Sequence, residues 1–298
     1  MKNEFSFLSE PGFGHPSDEN YLSNPNSGWY KINDYYDSVH STRTKFKDLE
    51  TLKSKRIILV AGDSFTFGDG VYYKDTFTNL LKKNFFKSEE YIVVNIGYPG
   101  ISNSNIMQRV NTWLNVLSDN IETVIVGWTF SSRRTHFFDN EYSSVSSNSL
   151  YQRDSTILPY EEQIYRYNFN MGNSLPKATL KQYNVKSIYK HMSRANSRVN
   201  DYRDFETNAL IMKYATEYHN FKLYWWGWLW QDSFSWNDRD VLIDSFSDKN
   251  SIFMDIDSEA KNYESISEDD GHWSPKGHSD VAKSMIKYLK SDPRYDFK

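Results

Sequence analysis

The chain has 298 residues, 38% of them hydrophobic, 25% charged and 17% aromatic, with a formal net charge of −4. That length fits one large domain or two small ones, and the charge balance gives no electrostatic case for binding nucleic acid or an anionic membrane. Cysteine is absent, which excludes disulfides, thiolate metal sites and cysteine nucleophiles and leaves covalent chemistry to Ser, Thr, Lys, Asp, Glu, His or Tyr.

The N-terminal MKNEFSFLSEPGFG has no apolar h-region, and no run approaches 18 apolar residues. Neither a signal peptide nor a membrane span is expected. The cytoplasm is the default expectation, with a virus-encoded or virion protein left open by the Cys-free, Asn-, Lys-, Tyr- and Phe-rich composition. Nothing in the sequence bears on oligomeric state.

Residues 1–50 are polar, contain Pro11, Pro16 and Pro25, and hold no helix or strand period. Aromatics such as Trp29, Tyr30, Tyr35 and Tyr36 distinguish them from an ordinary disordered tail, which is poor in such residues. They read as an extended arm packed on the core.

A regular alternation follows. Residues 56–61 (RIILVA) form a short continuous apolar run, the mark of a parallel strand covered on both faces. A helix is expected over 75–86, with Phe77, Leu80, Leu81 and Phe85 on one stripe. A second strand falls at 91–96, a second helix at 103–118 and a third strand at 122–128. Residues 131–202 break the rhythm and read as a polar insertion, with helices expected near 160–167 and 178–195. The beat resumes with a helix at 204–219, strand four at 221–226 and strand five at 251–255. A last helix spans 275–290, opened by Ser274 as N-cap and Pro275 at the first helical position.

Five strands alternating with helices imply a three-layer α/β/α fold on a five-stranded, flavodoxin-like parallel sheet. Residues 51–298 are then one domain carrying the insertion. In such a sheet the functional groups collect beyond the C-terminal strand ends.

The loop after strand one is Gly62-Asp63-Ser64-Phe65-Thr66-Phe67-Gly68. A serine at a strand-to-helix turn is exposed, and its backbone N–H points into the same space as its hydroxyl, which suits a nucleophile that also donates to an oxyanion. A phosphate-cradling turn or a plain helix cap is the alternative, but no Gly-Lys-Ser/Thr follows and a P-loop is excluded. After strand two comes Asn95-Ile96-Gly97-Tyr98-Pro99-Gly100. Alone this is a turn before a helix; with the first loop, the Gly100 N–H becomes a candidate second oxyanion donor. Ahead of the last helix stands Asp269-Asp270-Gly271-His272-Trp273-Ser274-Pro275-Lys276-Gly277-His278. A histidine just after a carboxylate suits a general base with its orienter.

GDSFTFG, NIGYPG and DGHWSPKGH resemble blocks I, II and V of the SGNH (GDSL-type) hydrolase superfamily, in the right order and at suitable separations. The resemblance covers 56–128 and 204–290. It implies Ser64 as nucleophile, His272 as general base, and an acid at Asp270 in the compact Asp-x-His spacing of alginate acetyltransferase-like members, or at Asp269 in the commoner Asp-x-x-His spacing. It implies an oxyanion hole of the Ser64 and Gly100 N–H groups plus a side chain from block III. There the sequence departs: the family's Gly-x-Asn is Gly127-Trp128-Thr129, so Thr129 is the expected third donor. Arg133 and Arg134 are candidates to bind a substrate anion, and Trp273 beside His272 to line the pocket. Trp225, Trp226, Trp228 and Trp230 read mainly as core, and His278 as packed in the first turn of the last helix.

The resemblance implies a serine esterase acting on a small acyl ester, O-acetyl on carbohydrate being the best substrate guess. The alternatives are an O-acyltransferase of the same fold and a catalytically weak binding or structural module. His spacing suggests no metal site, and nothing suggests an organic cofactor. A nucleotide-binding α/β protein is less favoured, because no Gly-x-Gly-x-x-Gly follows strand one.

Overall fold

A computed structural model of the chain describes residues 35, 37, 40, 42–99, 101–130, 133–138, 141–146, 198–228, 236–260, 262–267 and 271–295. Trp29, Tyr30 and Tyr36 of the expected arm, Gly100, Trp230, Asp269, Asp270 and the helices expected near 160–167 and 178–195 lie outside the described residues.

The described chain runs α1 (Leu49–Lys53), β1 (Arg56–Gly62), α2 (Ser64–Phe67), α3 (Phe77–Asn84), β2 (Tyr91–Asn95), α4 (Asn103–Leu117) and β3 (Ile121–Trp128). It continues through β4 (Arg133–Phe138), β5 (Glu141–Ser146), α5 (Arg198–His219), β6 (Lys222–Gly227), α6 (Trp236–Phe246), β7 (Ser251–Phe253), α7 (Ile256–Ala260) and α8 (Pro275–Lys290). Five strands form one parallel sheet in the order β2-β1-β3-β6-β7.

Both parities of the central strands are apolar because both faces of the sheet are covered. Ile57, Leu59 and Ala61 of β1 share one core with Val124 and Val126 of β3, Leu223 and Trp225 of β6, Trp113 of α4, Met212 of α5 and Phe246 of α6. Ile58 and Val60 turn to the other face with Ile125, Tyr224 and Trp226, against Phe77 and Leu81 of α3 and Val281, Met285 and Leu289 of α8. The three-layer α/β/α arrangement expected from the sequence is therefore present.

Three expectations need correction. A helix, α6, occupies 236–246, between the expected strands four and five, where the sequence pattern predicts no element; Leu242 and Phe246 are buried while Val241 is exposed. The first part of the expected polar insertion is an antiparallel hairpin, with Arg133 opposite Ser146 and Phe138 opposite Glu141; Thr135, Phe137, Tyr142 and Val145 are residue types that favour strands. The helix expected at 204–219 begins earlier, at Arg198, inside the stretch taken as insertion.

Of the expected arm, residues 42–44 run beside β2. Thr42 Oγ1 and the Arg43 N–H both donate to the Asn95 carbonyl, at 2.7 and 2.8 Å. Thr44 Oγ1 donates to the Val93 carbonyl and accepts from the Asn95 N–H, at 3.2 and 2.8 Å. Tyr35 packs on Tyr73, with ring centroids 5.7 Å apart.

Candidate active site

The chain leaves β1 outward to β2 and crosses back to β3 on the other side. The loops after β1 and β3 thus flank the point where the strand order reverses, the usual crevice of an open parallel sheet. Ser64 stands there as the first residue of α2.

Asp63 builds the turn. Its Oδ1 accepts from the Phe65 N–H at 3.1 Å, and its carbonyl accepts from the Phe67 N–H at 2.9 Å. This is the short polar side chain an N-cap requires. The helix closes after one turn at Gly68, whose φ of 83° lies in the left-handed region that favours glycine. The Ser64 carbonyl accepts from both the Gly68 and Asp69 N–H groups, at 2.9 and 3.0 Å.

Two further groups hold this helix. Asn95, at the end of β2, donates its Nδ2 to the Thr66 carbonyl at 2.8 Å and accepts the Gly97 N–H at Oδ1, at 2.9 Å. Gly97 permits that approach, since a Cβ there would stand 2.7 Å from the Phe67 nitrogen. Arg43 is fully buried. Its Nη1 donates to the Phe67 carbonyl at 2.9 Å and to the Gly68 carbonyl, and its Nη2 donates to the Val71 carbonyl at 2.6 Å. The guanidinium carbon sits 4.6 Å over the Phe67 ring centre.

His272 arrives from the other end of the sequence. Its carbonyl accepts from the Ile266 N–H at 2.8 Å, and Trp273 bridges to Ser265. Ser274 caps α8 by accepting the Gly277 N–H at 3.2 Å, while its hydroxyl donates to Glu264 Oε1 at 2.7 Å. So held, His272 places Nε2 2.8 Å from Ser64 Oγ, across 208 positions of sequence. That distance suits transfer of the serine proton to the imidazole.

No protein-family model and no curated protein matches the chain. Solved structures similar to it include the following two. One, a protein of the G-D-S-L family from Desulfitobacterium hafniense DCB-2, shares 13% identity over 78% of this chain and 99% of its own, with a TM-score of 0.40. The other, the lipase/acylhydrolase from Enterococcus faecalis, shares 13% identity over 79% of this chain and 96% of its own, with a TM-score of 0.34.

The remaining expected site residues fall in different places. Thr129 follows β3 at the site, but its hydroxyl donates to Asp63 Oδ2 at 2.7 Å. A hydroxyl has one proton, so in this arrangement Thr129 braces the Asp63 cap instead of offering a donor to an oxyanion. Its backbone is fixed as well: the Thr129 N–H donates to Asn103 Oδ1 at 2.9 Å, and Asn103 Nδ2 donates to the Thr129 carbonyl at 3.2 Å. Trp273 does not line an open pocket. It is 2% exposed and packs against Phe65, Phe77, Trp228, Tyr263 and His278, because the turn into the Ser274 cap faces it into the core. Trp225, Trp226 and Trp228 are also buried. Arg133 and Arg134 open strand β4. Among the described residues no cluster of His, Asp and Glu is suited to hold a metal ion, and no helix is long and apolar enough to cross a membrane.

Sequence reasoning missed four groups around the serine: Arg43, Asn95, Asn103 and Phe65. Asn95, inside the NIGYPG string, and Phe65, inside GDSFTFG, carried a sequence signal.

His278 is buried under the site. Its Nδ1 accepts the Phe77 N–H at 3.3 Å, and its ring stacks on Phe77. Burial pushes its pKa down to about 3, and the charge of Arg43 and the neighbouring His272 act in the same direction. Unfolded, the group titrates near about 6.5. This group leaves stability unchanged above that pH. As the pH falls from there towards 3 the unfolded chain gains a proton that the native state refuses, and stability drops by up to about 1.4 kcal/mol per pH unit. Urea unfolding of the wild type and of His278→Gln between pH 7 and 4.5 checks this. The stability advantage of the wild type is expected to shrink as the pH falls, and a constant difference contradicts the assignment.

Proposed function

We propose that this protein is a serine esterase of SGNH type. The observation that carries the reading is the Ser64 Oγ to His272 Nε2 distance of 2.8 Å at the switch point of a parallel sheet. Ser64 Oγ attacks the ester carbonyl while His272 Nε2 takes its proton. The tetrahedral intermediate collapses to an acyl-Ser64, and His272 returns the proton to the departing alcohol. Water, activated by the same histidine, then releases the acid. Asp270, or Asp269 one residue earlier, is the proposed carboxylate that orients the imidazole.

The Ser64 N–H, at the first position of α2, has no acceptor within the helix. It is one proposed oxyanion donor and the Gly100 N–H the other. With Thr129 bonded to Asp63 the hole has two donors where the family motif implies three, and one missing donor typically lowers turnover by roughly 10²–10³. The proposed enzyme is therefore slow, and a small, unhindered acyl group such as O-acetyl suits it best. Carbohydrate is the proposed alcohol portion, and Arg133 and Arg134 are proposed contacts for an acidic substituent on it. An O-acyltransferase would form the same acyl-enzyme and differ only in passing the acyl group to a second alcohol.

The test is a panel of p-nitrophenyl acetate, butyrate and octanoate and an O-acetylated xylan, each with and without a carbohydrate acceptor. Hydrolysis fastest for the acetyl esters, read as p-nitrophenol from the chromogenic series and acetate from the xylan, supports the esterase. Acyl transfer outrunning hydrolysis once acceptor is present favours the transferase. No turnover by folded protein across pH 6–9 leaves a binding module as the better account.

A further inference from the structure

We propose that Phe65, the residue after the serine, is a positioning residue for the base. Its ring holds the His272 imidazole in the plane that faces Ser64 and stabilises the imidazolium formed during attack. The inference rests on the serine-esterase reading.

Successive residues of a helix point about 100° apart. Ser64 and Phe65 use that divergence to grip one ring from two directions. Ser64 meets the imidazole at its Nε2 edge, at 2.8 Å. Phe65 meets it on a face, with ring centroids 4.9 Å apart and planes 29° from parallel. The edge contact fixes Nε2 on Ser64, and the face contact limits rotation of the ring about that bond.

Phe65 is partly buried and backed by two tryptophans. Trp228 lies 4.7 Å and Trp273 5.0 Å from it, centroid to centroid, and both are buried. Phe130 in turn stacks on Trp228, with ring centroids 6.1 Å apart. Phe65 thus links the buried tryptophans to the base, since its ring meets Trp228, Trp273 and the His272 imidazole.

When His272 takes the Ser64 proton it becomes a cation against the face of an aromatic ring, an arrangement that is attractive. The attraction is absent in the ground state, where the imidazole is neutral, so it acts on turnover more than on binding. Among the described residues, Asp63 belongs to the β1–α2 turn that carries Phe65, and His278 of α8 interacts with both His272 and Arg43; Asp269 and Asp270 precede His272 in sequence. Substituting Phe65 leaves all of them in place.

Phe65→Leu removes the ring and keeps an apolar side chain. It is expected to lower kcat by roughly three- to thirtyfold with KM within about twofold. Loss of a contact that favours the protonated base lowers its pKa, so the acidic limb of the kcat/KM profile moves to lower pH. The His272 resonance in an NMR titration moves with it. Phe65→Tyr keeps the ring and is expected to return most of kcat and the wild-type titration. Urea unfolding of all three proteins controls for folding. If Phe65→Leu leaves kcat and the His272 titration unchanged, the proposal is overturned. It is equally overturned if kcat falls without a shift in titration and Tyr does not rescue it, since that is a packing effect alone. If the wild type itself hydrolyses nothing, the esterase reading fails, while the NMR titration still reports whether the stack acts on the histidine.

Discussion

Replacing His272 by alanine is expected to lower kcat/KM for p-nitrophenyl acetate by about 10⁴-fold or more, with KM little changed. A serine hydroxyl is a poor nucleophile at neutral pH, and in the proposed mechanism it is activated by the Nε2 nitrogen 2.8 Å away. Nothing else described near Ser64 is placed to take the proton. The Asp63 carboxylate is occupied by the Phe65 N–H and the Thr129 hydroxyl. His278 is buried, accepts the Phe77 N–H and is held neutral. Steady-state kinetics on the folded variant measures the effect, with circular dichroism confirming the fold. A loss of tenfold or less would mean that a different group acts as base.

The second large effect is on stability. Arg43→Ala is expected to cost about 3–5 kcal/mol, because it leaves a buried void and strips donors from three buried carbonyls at once. Those carbonyls belong to Phe67, Gly68 and Val71, at and just after the end of α2. Arg43→Lys keeps the charge but replaces a planar fork with a single ammonium, which cannot match three carbonyls in this geometry. It is expected to recover only part of the loss. Urea midpoints at unchanged m-value give both numbers. Because the lost bonds hold the turn that presents Ser64, residual folded Arg43→Ala is also expected to show reduced kcat. Equal midpoints for wild type and Arg43→Ala would refute the clamp.

The parallel sheet was legible because its strands are short and apolar at both parities, a pattern that only a doubly covered sheet explains. The loops at its C-terminal edge were legible for the same reason, and the serine and histidine stood out within them by residue type. Arg43 was not, since it lies in a polar segment with no periodicity, and its role depends on carbonyls that converge only after folding. Thr129 follows β3, where an oxyanion donor was expected, but its hydroxyl donates to Asp63. Sequence gives its position beside the crevice but not that the Asp63 carboxylate accepts its proton. Trp273 shows the reverse error: adjacency to His272 suggested a pocket wall, while the cap at Ser274 faces it inward. Helix α6 escaped notice because its apolar residues do not make a stripe, with Val241 exposed beside buried Leu242.

The central claim is that Ser64 is a nucleophile activated by His272. Incubation with a fluorophosphonate, followed by intact-protein and peptide mass spectrometry, tests it most directly. The account predicts one adduct, located on Ser64, absent from Ser64→Ala and strongly slowed in His272→Ala. An unmodified wild-type protein, or an adduct that persists in Ser64→Ala, would contradict it.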